Sequence, residues 1–287
     1  MPDVRRGSAA QWAVGEHGAG DPMVLVHGLG TDSSAWNRLV PMLAERHRVL
    51  TVDLPGYSLR AVTGSVPSAE DLAVGLDAVL DRMGIGSAVF VGHSFGGSVS
   101  LLAAHRAPSR CAGLVLIAPG GFGTELNPVV PLMGTRAGAR MLRALYGPRA
   151  SRTIERIAAR VETRSGSDGR VRIAELMETY NRLRTEEARE QFRASVRESL
   201  ALNADIDRTQ IVINSRIPVL VLWGVEDRVL PSWQSKNAAS MLPWSTIRLM
   251  PGVGHTPHRS HPAEVDREIE TFADSGAVAR RRAALDT

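Results

Sequence analysis

The chain has 287 residues, 44% of them apolar and 22% charged, with a formal net charge of +4; that is enough for one large α/β domain or for a core with an inserted sub-domain. Its cations are almost all arginine, Lys236 being the one lysine, and they alternate with acids as solvated helix faces do, unlike the clustered basic and aromatic residues of a nucleic-acid groove. No apolar run is long enough to cross a bilayer, the N-terminal stretch lacks the apolar segment of a secretory signal, and the single Cys111 excludes an internal disulfide. The expectation is a cytoplasmic protein that binds neither nucleic acid nor membrane, takes a small-molecule substrate and leaves room for a homo-oligomer.

In chain order, apolar runs rich in Val, Ile and Leu recur between turn signals. A weak one lies in 11–16 (QWAVGE). Stronger ones follow at 23–28 (MVLVHG), 47–56 (HRVLTVDLPG), 87–94 (SAVFVGHS), 113–121 (GLVLIAPGG), 217–224 (IPVLVLWG) and 245–254 (STIRLMPGVG). Near-continuous apolar runs read as strands buried on both faces, as in a parallel sheet. Helical spacing separates them at 33–45, at 68–84 with Ser68 as N-cap and Gly84 past the end, at 95–108 stopped by Pro108, at 236–243 and at 262–276. This alternation predicts a doubly wound, mostly parallel α/β sheet. Cys111 reads as a core thiol at a strand edge, and the basic run Ala279–Arg282 as a frayed terminus.

Between about Thr124 and Asn214 the alternation stops. Four stretches, at 135–147, 151–162, 170–184 and 185–202, carry apolar residues at helical spacing, and none reads as a strand. A connection this long is no ordinary crossover. The reading is an all-helical cap, residues 124–213, inserted into an α/β core formed by 1–123 and 214–287. The rival is an independent second domain; short helices with few aromatics fold better against a host.

Gly92-His93-Ser94-Phe95-Gly96 matches G-x-S-x-G at the end of a predicted strand and the start of a predicted helix, the setting of a nucleophile elbow. The turn there is sharp, so side chains at 92 and 96 would collide with the neighbouring strand and helix. A serine hydroxyl is a weak nucleophile at neutral pH and needs a base, which in turn needs an orienting acid. In this architecture both follow the serine, acid first. Asp227 lies in the turn of 223–231 (WGVEDRVLP), with Glu226 as its rival. His255 is the first histidine of 252–262 (GVGHTPHRSHP), with His258 and His261 as rivals that read as surface residues or as packing behind the site.

Together with the elbow, His27-Gly28 after one strand, Asp53-Leu54-Pro55-Gly56-Tyr57 after the next, the WGxxDxxxP segment and the GxGH segment followed by Pro257 and Pro262 resemble the α/β-hydrolase fold superfamily over nearly the whole chain. The resemblance implies a catalytic triad of Ser94, Asp227 and His255. Backbone N–H groups of Phe95 and Leu29 would then stabilise the oxyanion. His27 reads as a structural hydrogen-bonding residue, His93 as packing beside the elbow, and Asp53 as fixing its turn. A serine rather than an aspartate at the elbow excludes the alkyl-enzyme chemistry of related epoxide hydrolases and dehalogenases.

The sequence holds no phosphate loop, dinucleotide fingerprint or metal-ligand set, so no cofactor is expected. Apolar positions of the cap, among them Met133, Leu142, Leu145, Tyr146, Ile154 and Tyr180, divide between core packing and pocket lining. The leading expectation is a serine hydrolase that cleaves a carboxylic ester of a small to medium apolar substrate. The alternatives are a C–C bond hydrolase, which the APGGFG segment at 118–123 resembles although such relatives often carry asparagine at position 93, an acyl thioesterase, a natural-product lyase or cyclase, and a non-catalytic binder.

Overall fold

The computed structural model describes residues 12–58, 66–147, 177, 180–203 and 216–285. Its centre is a seven-stranded sheet in the order β1-β3-β2-β4-β5-β6-β7. The strands are β1 (Ala13–His17), β2 (Asp21–Val26), β3 (His47–Asp53), β4 (Ala88–His93), β5 (Cys111–Ile117), β6 (Val219–Gly224) and β7 (Thr246–Met250). β1 runs antiparallel to β3, and every other pairing is parallel. The predicted α/β class and mostly parallel sheet are thus what the chain forms. β4, β5 and β6 are buried along their whole length, as their unbroken apolar runs require. The weak 11–16 run becomes the half-exposed edge strand β1. The 245–254 run forms the opposite edge, where Leu249 stays exposed.

Alternation along each strand sends side chains into two separate cores. Val24, Val26 and Phe90 pack with Leu72, Leu76 and Val79 of α2 (Ala69–Arg82) and Val99 and Leu102 of α3 (Phe95–Arg106). Met23, Leu25 and Val91 pack on the other face. Their neighbours there are Leu43 of α1 (Val40–Leu43), Val265 and Ile269 of a C-terminal helix, Pro262–Ala273, and Val278 of the last one, Gly276–Leu285. Each such aliphatic side chain contributes about 1.5–3 kcal/mol through burial. Ser68 caps α2 as expected: its Oγ accepts the Asp71 amide (3.2 Å) while the Asp71 carboxylate accepts the Ser68 amide (3.2 Å). Gly84, at φ 65°, ends the helix.

The predicted helix over 33–45 is instead a 3₁₀ turn, Ser33–Trp36, followed by the short α1. The Asp53 carboxylate accepts the Ser33 amide (2.6 Å) and the Asp32 carboxylate accepts the Ser34 amide (2.7 Å), which ties the start of the segment to the end of β3. The tail is also not frayed. Arg281 donates to the carbonyls of Cys111 and Pro108 (2.7 Å each), anchoring the last helix beneath β5. Cys111 opens β5 fully buried, and burial pushes its thiol up to about 12.

Between β5 and β6 lie α4 (Val129–Gly134), α5 (Arg136–Tyr146) and α6 (Glu186–Asn203). The predicted stretch 151–162 and most of 170–184 fall outside the described residues. α4 and α5 pack on α6, which in turn touches α2 and α3. Polar contacts join this region to the core: Gln191 donates to the Ser58 carbonyl (3.2 Å), Asn127 to the Arg228 carbonyl (2.8 Å), and Arg182 pairs with the buried Asp32. Numbered onward, α7 is Gln234–Met241, α8 Pro257–Ser260, α9 Pro262–Ala273 and α10 Gly276–Leu285. Among the described residues no helix is long and apolar enough to cross a membrane.

Candidate active site

β4 ends and α3 begins with only Ser94 between them. Its backbone, φ 52° and ψ −119°, lies where L-residues are strained. Such strain persists only when the surroundings impose it. Here the Ser94 amide donates to the Ile117 carbonyl of β5 (2.9 Å), and the Ser94 carbonyl accepts from Gly120 (3.2 Å). The glycines on either side have no alternative. A Cβ at Gly92 would lie 2.5 Å from the Gly96 carbonyl, and one at Gly96 would overlap the carbonyls of Val26 and His27 in β2 and its loop. The serine is therefore lifted to the carboxyl edge of the parallel sheet, half-buried.

The loops after β6 and β7 bring Asp227 and His255 to the same edge. Ser94 Oγ donates to His255 Nε2 (3.1 Å), and His255 Nδ1 donates to Asp227 Oδ2 (2.8 Å). A carboxylate can only accept from a ring nitrogen, so this pairing fixes the proton on Nδ1 and leaves Nε2 to accept from the hydroxyl. The Asp227 side chain is fully buried. Its other oxygen accepts the amides of Val229 (2.8 Å) and Leu230 (3.0 Å), which orients the carboxylate without neutralising it. The rivals sit elsewhere. Glu226 and His261 are exposed, and His258 is buried behind His93, with ring centroids 4.5 Å apart.

Leu29 and Phe95, the predicted sources of oxyanion N–H groups, both line the cavity above Ser94. His27 has a different use: its Nδ1 donates to the Gly28 carbonyl (2.8 Å), and its Nε2 accepts the Leu54 amide (2.9 Å). It braces the loops after β2 and β3, as its sequence position implied. Among the described residues no group of three or more His, Cys, Asp or Glu side chains is placed to hold a metal ion.

The model of the Alpha/beta hydrolase family matches residues 23–268 of the chain. The chain belongs to the alpha/beta hydrolase family. As a member it is a hydrolase. This alpha/beta hydrolase is 29% identical over 272 residues to an uncharacterized protein of Mycobacterium tuberculosis, covering 90% of this chain and 76% of the relative. It is 29% identical over 260 residues to a pimeloyl-[acyl-carrier protein] methyl ester esterase of Photobacterium profundum, covering 89% and 95%. In fold it matches the meta-cleavage product hydrolase of Pseudomonas fluorescens IP01 with a TM-score of 0.71 at 19% identity, covering 91% and 93% of the two chains.

The cavity over Ser94 in this alpha/beta hydrolase has a volume of about 310 Å³. Its walls are mainly apolar: Leu29, Phe95, Val229 and Leu230 from the core, and Leu126, Val130, Met133, Phe192, Val196 and Leu200 from the inserted segment. Thr31, Ser199, Thr256 and Arg259 supply the polar lining beside Ser94 and His255. Of the apolar positions singled out by sequence between 124 and 213, Met133 lines the cavity, Leu142 and Tyr180 are buried, Leu145 is exposed, and Ile154 lies outside the described residues. Sequence reading missed the α6 stripe Phe192-Val196-Leu200. The signal was its i, i+4, i+8 spacing, but periodicity marks an apolar face without saying whether substrate or core meets it. A larger cavity of about 490 Å³ beside the β1 edge is lined by none of the candidate site residues.

Proposed function

We propose that the chain is a serine hydrolase that cleaves carboxylic esters of small to medium apolar molecules, with Ser94 as nucleophile, His255 as general base and acid, and Asp227 as the group that orients and stabilises the imidazole. One observation carries the reading: an unbroken relay of Ser94 Oγ, His255 Nε2, His255 Nδ1 and Asp227 Oδ2, with steps of 3.1 and 2.8 Å. As Ser94 attacks the ester carbonyl, its proton passes to His255 Nε2. The acyl-enzyme forms as that proton is given to the departing alcohol, and water then repeats the sequence. The negative charge on the carbonyl oxygen is met by the N–H groups of Leu29 and Phe95, worth several kcal/mol in a water-poor site. Residues 124–213 act as the helical cap over a core of 1–123 and 214–287, and the apolar stripe of α6 receives the acyl or alcohol group.

The size and apolar lining of the cavity fit a substrate with an uncharged chain, and the esterase among the relatives supports the ester reading. A C–C bond hydrolase is the second reading, favoured by the structural likeness to the meta-cleavage product hydrolase and by the APGGFG segment; an acyl thioesterase or a lyase would use the same relay. Hydrolysis of p-nitrophenyl butyrate in stopped flow tests the proposal. A burst of p-nitrophenol stoichiometric with enzyme is expected, and Ser94→Ala should lower kcat by about 10⁴-fold or more. Undiminished turnover in that variant overturns the triad. Turnover of a dienoic diketo acid but of no ester overturns the substrate class.

A further inference from the structure

His93, the last residue of β4, is 5% exposed and stands immediately before the nucleophile. Its ring does more than fill space. His93 Nε2 lies 2.9 Å from the backbone carbonyl of His255. A carbonyl only accepts, so Nε2 carries the proton and Nδ1 keeps its lone pair. On the Nδ1 edge rests the loop after β2: a Cβ at Gly28 would lie 2.8 Å from that nitrogen and 3.2 Å from Ser94 Cβ. Behind the ring sits His258, whose own ring is 4.5 Å from Trp36. Burial above all, and then the neighbouring His258 and His255, push the His93 pKa well below its usual value, so the ring is neutral and has a single N–H to donate.

The base therefore has two separate anchors. Asp227 holds the His255 imidazole, but a ring held at one nitrogen can still swing if its backbone shifts. The His255 side chain is part-exposed, on a loop tied at Val253 by the Glu226 amide (2.9 Å). The His93 donor fixes that loop at His255 itself. Because His93 and Ser94 are consecutive, one peptide unit gauges the spacing between nucleophile and base. We propose that His93 is a positioning residue: its Nε2–H clamps the His255 backbone at reacting distance from Ser94, while its ring supports the loop that carries Leu29. The proposal rests on the reading of His255 as the base.

A pair of variants isolates the donor. Gln places an N–H where His Nε2 stands, and Met has similar length without one. With p-nitrophenyl butyrate, H93M should lose about 10- to 100-fold in kcat, the scale expected for a base displaced by a fraction of an ångström. Its KM should stay within about two-fold, and H93Q should recover most of the loss. An H93M variant with wild-type kcat, or an H93Q variant as slow as H93M, overturns the clamp. Nitrogen-15 NMR of the histidines in the unmutated protein decides the matter even if a variant does not fold: His93 should be the neutral Nε2–H tautomer at pH 7, and an Nδ1–H or charged ring overturns the proposal. Ser94→Ala and His255→Ala run alongside; full activity in either refutes the triad, a result distinct from a wrong tautomer at His93.

Discussion

The two sides of the cavity over Ser94 are built by opposite rules. Below it, β4 and β5 are buried end to end, and around the elbow there is no room for a single carbon at Gly92 or Gly96. Facing it, the inserted helices bury one stripe and expose the other: Leu142 and Val196 are buried, while Val129, Leu132 and Leu145 are 38–49% exposed. Steric exclusion fixes the lower side. The upper side is held by side-chain packing, such as the Phe192 ring, which reaches 2.8 Å from where a Gly30 Cβ would be, and by a few polar ties, such as Gln191 to Ser58. On the proposed function, the groups aligned for chemistry sit where substitution is least tolerated, and those that would meet the substrate sit where it is tolerated best.

That contrast can be broken most severely at Gly96. Gly96→Val would drive its side chain into the carbonyls of Val26 and His27, and the expected outcome is loss of soluble folded protein, read by circular dichroism and yield; a folded, active variant would show that the elbow has slack. Asp227→Asn tests the buried end of the relay. It should fold, keep KM within a few-fold and lose about 10³–10⁴ in kcat, because an amide no longer enforces the Nδ1–H tautomer; a loss under ten-fold would assign the acid elsewhere.

The acid stability of the floor is the next effect in size. His258 and His93 are buried, and burial keeps both rings neutral. Burial first, then the neighbouring Arg259 and His255, hold His258 at about 3. As pH falls below about 6.5 the unfolded chain gains protons at these rings and the folded chain does not, so stability is complete above that pH and is lost on the way down. Each ring contributes about 1.4 kcal/mol per pH unit. Melting temperature should therefore fall between pH 7 and 5, and His258→Phe should flatten the fall; an equal slope in the variant would mean that His258 is protonated in the fold. The smallest change belongs to the upper side. Phe192→Ala should leave kcat on an acetyl ester nearly intact and move kcat/KM toward longer acyl chains by roughly ten-fold, measured with a series of p-nitrophenyl esters. An unchanged chain-length profile would take α6 out of the pocket.

Much of this was readable before any coordinates. Strand positions follow from the apolar runs, unbroken where the sheet is buried on both faces, and each predicted run supplies a strand. The elbow follows from glycine spacing around Ser94, and the order of Ser94, Asp227 and His255 matches the geometry that joins them. What the residues did not announce depends on partners distant in sequence. The helix expected over 33–45 is a 3₁₀ turn and a short α1 instead, with its start tied to the end of β3 through the Ser33 amide and Asp53. The basic tail is ordered because Arg281 finds two carbonyls beneath β5. His258, an apparent surface or packing residue, lies fully buried behind His93.

The amino-acid sequence by itself determined the α/β class, the family and the site of the strained serine, since these are set by local patterns: apolar periodicity, turn glycines and the identity of residues at strand ends. Tertiary structure alone decided that a serine, an aspartate and a histidine spread over 161 residues of chain meet within hydrogen-bond reach, which face of α6 meets the cavity, and that the His93 ring reaches the backbone of His255. The reason is physical: hydrogen-bond partners and pocket walls are relations between loops from different strands, and no local pattern encodes the distance between them until the sheet has brought their ends together.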